Sequence, residues 1–151
     1  MKLTLSVQYA VAPEGLPARS TLARWARVAL RGWRRQHASL GLRIVGHRES
    51  AALNYRFRRR KYPTNVLSFE FEAPPGTRSD HLGDLVICAP VVRREARAQN
   101  KPVRAHWAHM VVHGILHLRG YDHRNHRDAA AMENMEIRIL KELGFANPYA
   151  S

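Results

Sequence analysis

Three histidines near the end of one predicted helix have the spacing of ligands that share a metal ion. His113 and His117 are four residues apart and therefore lie on one face of a helix, one turn apart. Gly120 follows, and a glycine readily takes the positive φ that ends a helix and brings His123 back toward the pair. Three imidazoles that leave a fourth position for water are typical of a catalytic zinc site. The spacing therefore predicts one zinc ion per chain, bound by His113, His117 and His123.

The same spacing occurs in metzincin metalloproteases, but one position differs here. Those enzymes carry glutamate directly after the first histidine as the general base, and this chain has Gly114 there. Asp122 is the nearest carboxylate in sequence, and two roles remain open for it: proton acceptor, or partner that holds a histidine ring. The pattern thus predicts metal binding and disfavours proteolysis. Nickel, copper and iron also bind imidazole, so ligand type alone leaves the metal open.

The remaining histidines on this stretch have weaker patterns. His106 and His109 precede His113 by seven and four residues and share its helical stripe. Because three nitrogens already complete a catalytic zinc shell, we expect both to pack or to support a ligand. His126 lies in a polar stretch beyond the turn, and we expect it to face solvent.

The charge of the chain predicts a polyanionic partner. Twenty-five Lys and Arg against twelve Asp and Glu give a formal charge of +13 and a pI near 11.2. The cations cluster at two places, which favours RNA or DNA over a solvated charged face: Arg31, Arg34 and Arg35, then Arg56, Arg58, Arg59, Arg60 and Lys61. Arg58 is the candidate to hold a phosphate with its planar fork, although its sequence context alone favours a surface charge.

Hydrophobic periodicity predicts an α+β domain with a small mixed sheet of about four strands and about five helices. The predicted strands are residues 3–9, 40–46, 66–71 and 85–88, and the predicted helices are 17–35, 49–58, 90–99, 102–120 and 128–143. The length of 151 residues predicts a single domain over 1–151.

Compartment and membrane association follow from the same residues. Leu3, Leu5 and Val7 alternate with polar residues, which indicates a strand and not an export signal. No apolar run approaches the roughly 18 residues that span a bilayer. Cys88 is the only cysteine, so no internal disulfide can form. We expect a cytoplasmic protein that does not bind a membrane.

Residues 113–123 resemble the signature of the YbeY family of bacterial ribosomal RNA maturation endoribonucleases. Further matches in order and approximate spacing cover residues 53–149, and they are Leu53-Asn54, Phe57-Arg58, residues 63–69, Leu82-Gly83-Asp84 and residues 91–96. The N-terminal third agrees mainly in its order of strand and helix. Lys61 departs from the family, which often has aspartate there, and makes this loop more basic.

The resemblance implies a zinc-dependent, single-strand-specific endoribonuclease. Its implied roles are maturation of the 3′ end of small-subunit (16S) ribosomal RNA and ribosome quality control, with ribosome-associated proteins as partners. It also implies zinc on His113, His117 and His123, with Arg58 near the active cleft. Two alternatives stay open: a metal-dependent hydrolase of another substrate, including a protease, and a non-catalytic, zinc-stabilised RNA-binding assembly factor.

Overall fold

Four strands form one mixed sheet in the computed structural model, which describes residues 1–122 and 124–150. The elements are β1 (Lys2–Tyr9), α1 (Arg19–Ala29), β2 (His37–Val45), α2 (His47–Arg58), β3 (Val66–Glu70), β4 (His81–Cys88), α3 (Ala89–Ala98), α4 (Val103–Leu118) and α5 (His126–Glu142). The strand order is β1-β2-β4-β3. The first three of these strands run parallel, and β3 runs antiparallel to β4. The predicted α+β fold, with four strands and five helices, is confirmed.

Both faces of the sheet carry apolar side chains, because successive residues of a strand point to opposite sides. Leu40 and Leu42 of β2 and Ile87 of β4 contribute to the larger core, which also includes residues of α1, α4 and α5. Val86 of β4 belongs to a smaller cluster on the other face, together with Val91 of α3. The sheet therefore lies between two helical layers, and the larger layer contains α4.

Helix α4 packs against β3, β4, α1, α3 and α5. Because its sequence is apolar, most of its side chains are buried in this core. At 16 residues it is nevertheless short. Within residues 1–122 and 124–150, no helix is both long enough and apolar enough to cross a bilayer.

The predicted extent of the first helix is wrong. α1 ends at Ala29 and does not continue to Arg35. Gly32 takes φ +80°, a conformation outside a right-handed helix, and the amide of Trp33 donates to the carbonyl of Leu30 at 2.9 Å in a turn. Strand β2 consequently begins at His37, three residues earlier than predicted.

Candidate metal centre

His113 and His117 are partly exposed in an otherwise buried stretch of α4. Between residues 106 and 118, every side chain is buried except those of His113 and His117. Their ring centroids are 4.8 Å apart, and both rings line the same surface cleft. The predicted one-turn spacing therefore places two imidazoles side by side at this cleft.

The chain turns sharply directly after these histidines. Gly120 has φ +99°, and its amide donates to the carbonyl of His117 at 3.0 Å. The amide of Tyr121 donates to the carbonyl of Leu116, also at 3.0 Å, which completes a Schellman motif. α4 ends at Leu118, two residues earlier than predicted, and Gly120 takes the positive φ predicted for the turn that ends the helix. His123 lies outside the described residues, so its role as the third ligand stays a prediction.

The cleft has a volume of about 510 Å³ and joins segments that are far apart in sequence. Besides the two histidines, its walls are Arg58 of α2, Asn65, Val66, Leu67, Ser68 and Glu70 around β3, and Asp122 and Arg124 beyond α4. Arg58 thus reaches the same cleft as His113 and His117, although at least 55 residues separate it from them. Asp122 forms an ion pair with Arg124, in which Oδ2 of Asp122 lies 2.6 Å from Nε of Arg124.

A buried carboxylate from α5 holds the first histidine of the pair. Glu136 is fully buried, and its Oε2 lies 3.1 Å from Nδ1 of His113 and 2.7 Å from Nε2 of His109. The Tyr149 hydroxyl donates to its other oxygen, Oε1, at 2.7 Å. Glu136 therefore accepts hydrogen bonds from three side chains, one of which belongs to the cleft.

These contacts fix the protonation of the cluster. Burial opposes ionisation of Glu136, but hydrogen bonds from His109, His113 and Tyr149 outweigh it and lower its pKa to about 2. Burial and the neighbouring Glu136 raise the pKa of Tyr149, so its hydroxyl remains a donor. An ionised carboxylate only accepts, which assigns a proton of His113 to Nδ1, so that a metal ion would be coordinated through Nε2.

His109, His113 and Glu136 form a group that could hold a metal ion, because one ligand atom from each lies within 4.8 Å of the others. Their short mutual hydrogen bonds, however, already engage these atoms, and two of the three residues are buried. This geometry fits the support of a metal-ligating histidine by a carboxylate. The donor set at the cleft, imidazole nitrogens backed by a carboxylate, fits a metal ion of intermediate softness such as zinc.

A second histidine–glutamate pair lies one turn earlier on α4. Nε2 of the buried His106 is 2.9 Å from Oε1 of Glu95, and Asn65 donates to the same oxygen at 3.1 Å. Because Asn65 lines the cleft, this pair supports the cleft wall. Burial lowers the pKa of His106 despite the opposing effect of Glu95. His106 and His109 are buried, which confirms their predicted packing, and His126 is exposed as predicted.

The glycine that replaces the protease glutamate faces the sheet. A Cβ atom at Gly114 would lie 2.7 Å from Cδ2 of Leu85 and 3.3 Å from Cγ2 of Val66. The absence of a side chain therefore allows α4 to pack closely against β3 and β4. A carboxylate at this position would point into the core, so the geometry gives no general base there.

Glu136 was not predicted from the sequence, although the residue pattern of α5 indicates a buried carboxylate there. Met132, Glu136 and Leu140 follow one another at four-residue intervals on the buried stripe of α5. A single carboxylate on an apolar stripe needs a polar partner in the core. That partner was not predictable from local sequence, since His109 and His113 lie on another helix.

Fold and cleft together define a class: an α+β protein with a histidine-lined, arginine-flanked candidate metal site. A family model described as endoribonuclease YbeY matches residues 17–144. Endoribonuclease YbeY of Alkalilimnicola ehrlichii is 56% identical, covering 97% of this chain and 91% of the relative. Endoribonuclease YbeY of Methylococcus capsulatus is 57% identical, covering 89% of this chain and 87% of the relative.

The chain belongs to the endoribonuclease YbeY family. This membership confirms the family resemblance and the enzyme class predicted from the sequence. A protein from Thermotoga maritima, known from its solution structure, shares the fold with a TM-score of 0.57 at 21% identity. The match covers 98% of this chain and all of that protein.

Proposed function

We propose that this protein is a zinc-dependent endoribonuclease that cleaves single-stranded RNA. Its proposed cellular substrate is the 3′ end of small-subunit (16S) ribosomal RNA, in maturation and in ribosome quality control. The observation that supports this most strongly is the shared cleft, which brings Arg58 together with His113 and His117. With His123 these histidines are the proposed zinc ligands.

The side chains of the cleft and the buried Glu136 behind His113 have complementary roles in this proposal. Glu136 keeps the ring of His113 in one tautomer and one orientation, with Nε2 directed at the metal. Arg58 holds a phosphate oxygen with its guanidinium and neutralises charge that develops during phosphoryl transfer. A bound zinc ion supplies Lewis acidity toward phosphate and water.

Three observations count against the alternatives. A protease would need a carboxylate at position 114, and the core packing of Gly114 against Leu85 leaves no room for one. A purely structural zinc would be expected in a closed site with four protein ligands, whereas His113 and His117 line an open cleft beside Arg58. Charge also favours an anionic substrate over a peptide, because the chain carries +13.

The proposed setting follows from the same properties. We place the enzyme in the cytoplasm, where ribosomal RNA and ribosome-associated proteins would be its partners. Residues 1–151 would act as one metallo-endoribonuclease domain, since a single sheet supports both core clusters.

The proposal is tested by cleavage of one defined RNA, offered as a single strand and as a duplex. Metal-stripped protein should be inactive, and stoichiometric zinc should restore cleavage of the single strand only. Unchanged cleavage after metal removal would contradict the role of the metal. The 5′ fragment also identifies the nucleophile, because a 2′,3′-cyclic phosphate would exclude direct attack by water.

A further inference from the structure

A second cavity, of about 580 Å³, lies between the segment that precedes α4 and the segment that follows α5. Its walls are the connection from α3 to α4 (residues 99–102), the first half of α4 and the C-terminal segment (residues 144–150). No described residue lines both this cavity and the cleft of the candidate metal centre. Cavities of this size commonly hold a small molecule. We call it the C-terminal cavity.

The walls of the C-terminal cavity carry cations but no carboxylates. Lys101 and Arg104 both line it, whereas no aspartate or glutamate among the described residues does. Nζ of Lys101 donates to the carbonyl of Pro148, and this bond joins the two walls. The guanidinium of Arg104 lies 5.4 Å from the ring centroid of Trp25. Both cations are therefore positioned by contacts within the protein, and their charges favour an anionic ligand.

Two buried histidines of α4 add hydrogen-bond acceptors to the cavity wall. His106 and His109 both line it, and Nε2 of each ring contacts a carboxylate, that of Glu95 and that of Glu136. A neutral histidine whose proton is on Nε2 has an acceptor at Nδ1. Both Nδ1 atoms are buried and have no hydrogen-bond partner in residues 1–122 and 124–150. Since a buried acceptor without a partner costs free energy, a ligand hydroxyl that donates to it would be favoured.

The rest of the cavity wall is suited to a flat ring. Leu140 and Phe145 supply apolar surface, and the side-chain amides of Gln99 and Asn147 supply donors and acceptors. The ring of Phe145 packs edge-on against Trp25, with centroids 5.9 Å apart. The amide of Phe145 donates to the carbonyl of Leu140 at 2.8 Å. An apolar wall with a few polar groups is the usual environment of a heterocyclic ligand.

The C-terminal cavity is also connected to the candidate metal centre. His109 donates to Glu136, and the same oxygen of Glu136 holds Nδ1 of His113. His106 makes a corresponding link, since Glu95 also accepts a hydrogen bond from a side chain of the cleft wall. Each histidine of the cavity is thus separated from the cleft by one carboxylate.

We propose that the C-terminal cavity binds a nucleoside monophosphate. Lys101 and Arg104 hold the phosphate, which carries a charge of about −1.5 to −2 near pH 7. Ribose hydroxyls donate to the histidines of the wall, and the base lies against Phe145. The site shares no residue with the cleft, so this inference goes beyond the proposed function and does not require the protein to cleave RNA.

The test is isothermal titration calorimetry of the protein, residues 1–151, with adenosine monophosphate. Lys101→Gln and Arg104→Gln should each raise Kd about tenfold or more, the effect of losing one charge-assisted hydrogen bond to the phosphate. Arg97→Gln, at an exposed position of α3, removes the same charge outside the cavity and should keep the wild-type Kd. Arg58→Ala should also keep it, because Arg58 belongs to the other site.

Two further measurements locate the ligand and define its class. In NMR spectra, adenosine monophosphate should shift the ring signals of His106 and His109 and leave those of the exposed His47 unchanged. Adenosine and inorganic phosphate, titrated separately, should each bind at least about tenfold more weakly than the nucleotide, because each makes only part of the contacts.

Several results would overturn the proposal. Absence of saturable binding would do so, as would a wild-type Kd in both Lys101→Gln and Arg104→Gln. An equal loss in Arg97→Gln would assign the binding to net charge, and a loss confined to Arg58→Ala would assign it to the cleft. Inorganic phosphate that binds as tightly as the nucleotide would reduce the site to an anion site. Nucleotide binding by a wild-type protein that never cleaves RNA would refute the proposed function alone.

Discussion

The carboxylate of Glu136 decides which nitrogen of His113 can bind a metal. It lies in the core and accepts from Nδ1 of His113, so the proton stays on that nitrogen. His109 and Tyr149 donate to the same carboxylate and keep it ionised. The supporting residues thus extend from the cleft through α5 to the C-terminal segment.

Glu136→Gln should lower zinc affinity by about 10- to 100-fold, the usual effect of losing a carboxylate that orients a histidine ligand. A glutamine offers one acceptor oxygen and places an NH2 group against a donor, so at least one of the three hydrogen bonds is lost. The measurement is zinc competition with a chelator. Glu133→Gln, at an exposed position of the same helix, is the matched control. Equal zinc affinities in both variants would show that Glu136 does not contribute to metal binding.

Arg58 is the other residue whose role depends on tertiary structure. Arg58→Ala should reduce kcat by about 100-fold, as expected when one group that stabilises transition-state charge is removed. Arg58→Lys should recover only part of that loss, because an ammonium keeps the charge without the planar fork. Single-turnover cleavage of single-stranded RNA gives the rates, and Arg97→Ala controls for net charge. Full activity in Arg58→Lys would show that charge alone suffices.

Among the elements, α4 has two tasks: it fills the core and it presents the histidines. Gly114 makes both possible, since it lies next to His113 but faces the sheet. His113 therefore lines the cleft, whereas the backbone of Gly114 packs against Leu85. The proton acceptor must come from elsewhere than position 114.

Gly114→Glu tests this view of α4. The variant would press an unpaired carboxylate against Leu85 and Val66, so we expect a loss of about 3 kcal/mol or more in the free energy of unfolding. Urea denaturation measures it, with Ala131→Glu on an exposed face of α5 as the control. A variant that retains wild-type stability would show that this position has access to solvent or to the cleft.

Local patterns predicted most elements, and tertiary contacts explain the rest. The four-residue spacing of His113 and His117 correctly placed them on one helical face, and Gly120 correctly marked its end. Helical periodicity failed at Trp33, because the positive φ of Gly32 places that ring in a turn instead of a helix. Glu136 escaped detection because its partners come from another helix.

At the scale of the whole molecule, the net charge and the position of the cleft both favour binding of a polyanion. The net charge of +13 attracts a polyanion over a distance of about a Debye length, without reading its sequence. The cleft then offers Arg58 of α2 beside His113 and His117 of α4, so that a bound polyanion meets a cation and the histidines together.

The central claim is that the histidines of the cleft hold the metal that RNA cleavage requires. The most direct test measures bound zinc and single-strand cleavage together in wild type, His117→Ala and the control His126→Ala. His126 is exposed just beyond the turn and lines no part of the described cleft. We predict one zinc per chain with full cleavage in wild type and His126→Ala, and loss of both in a folded His117→Ala. Cleavage by His117→Ala at the wild-type rate, with its zinc lost, would contradict the account.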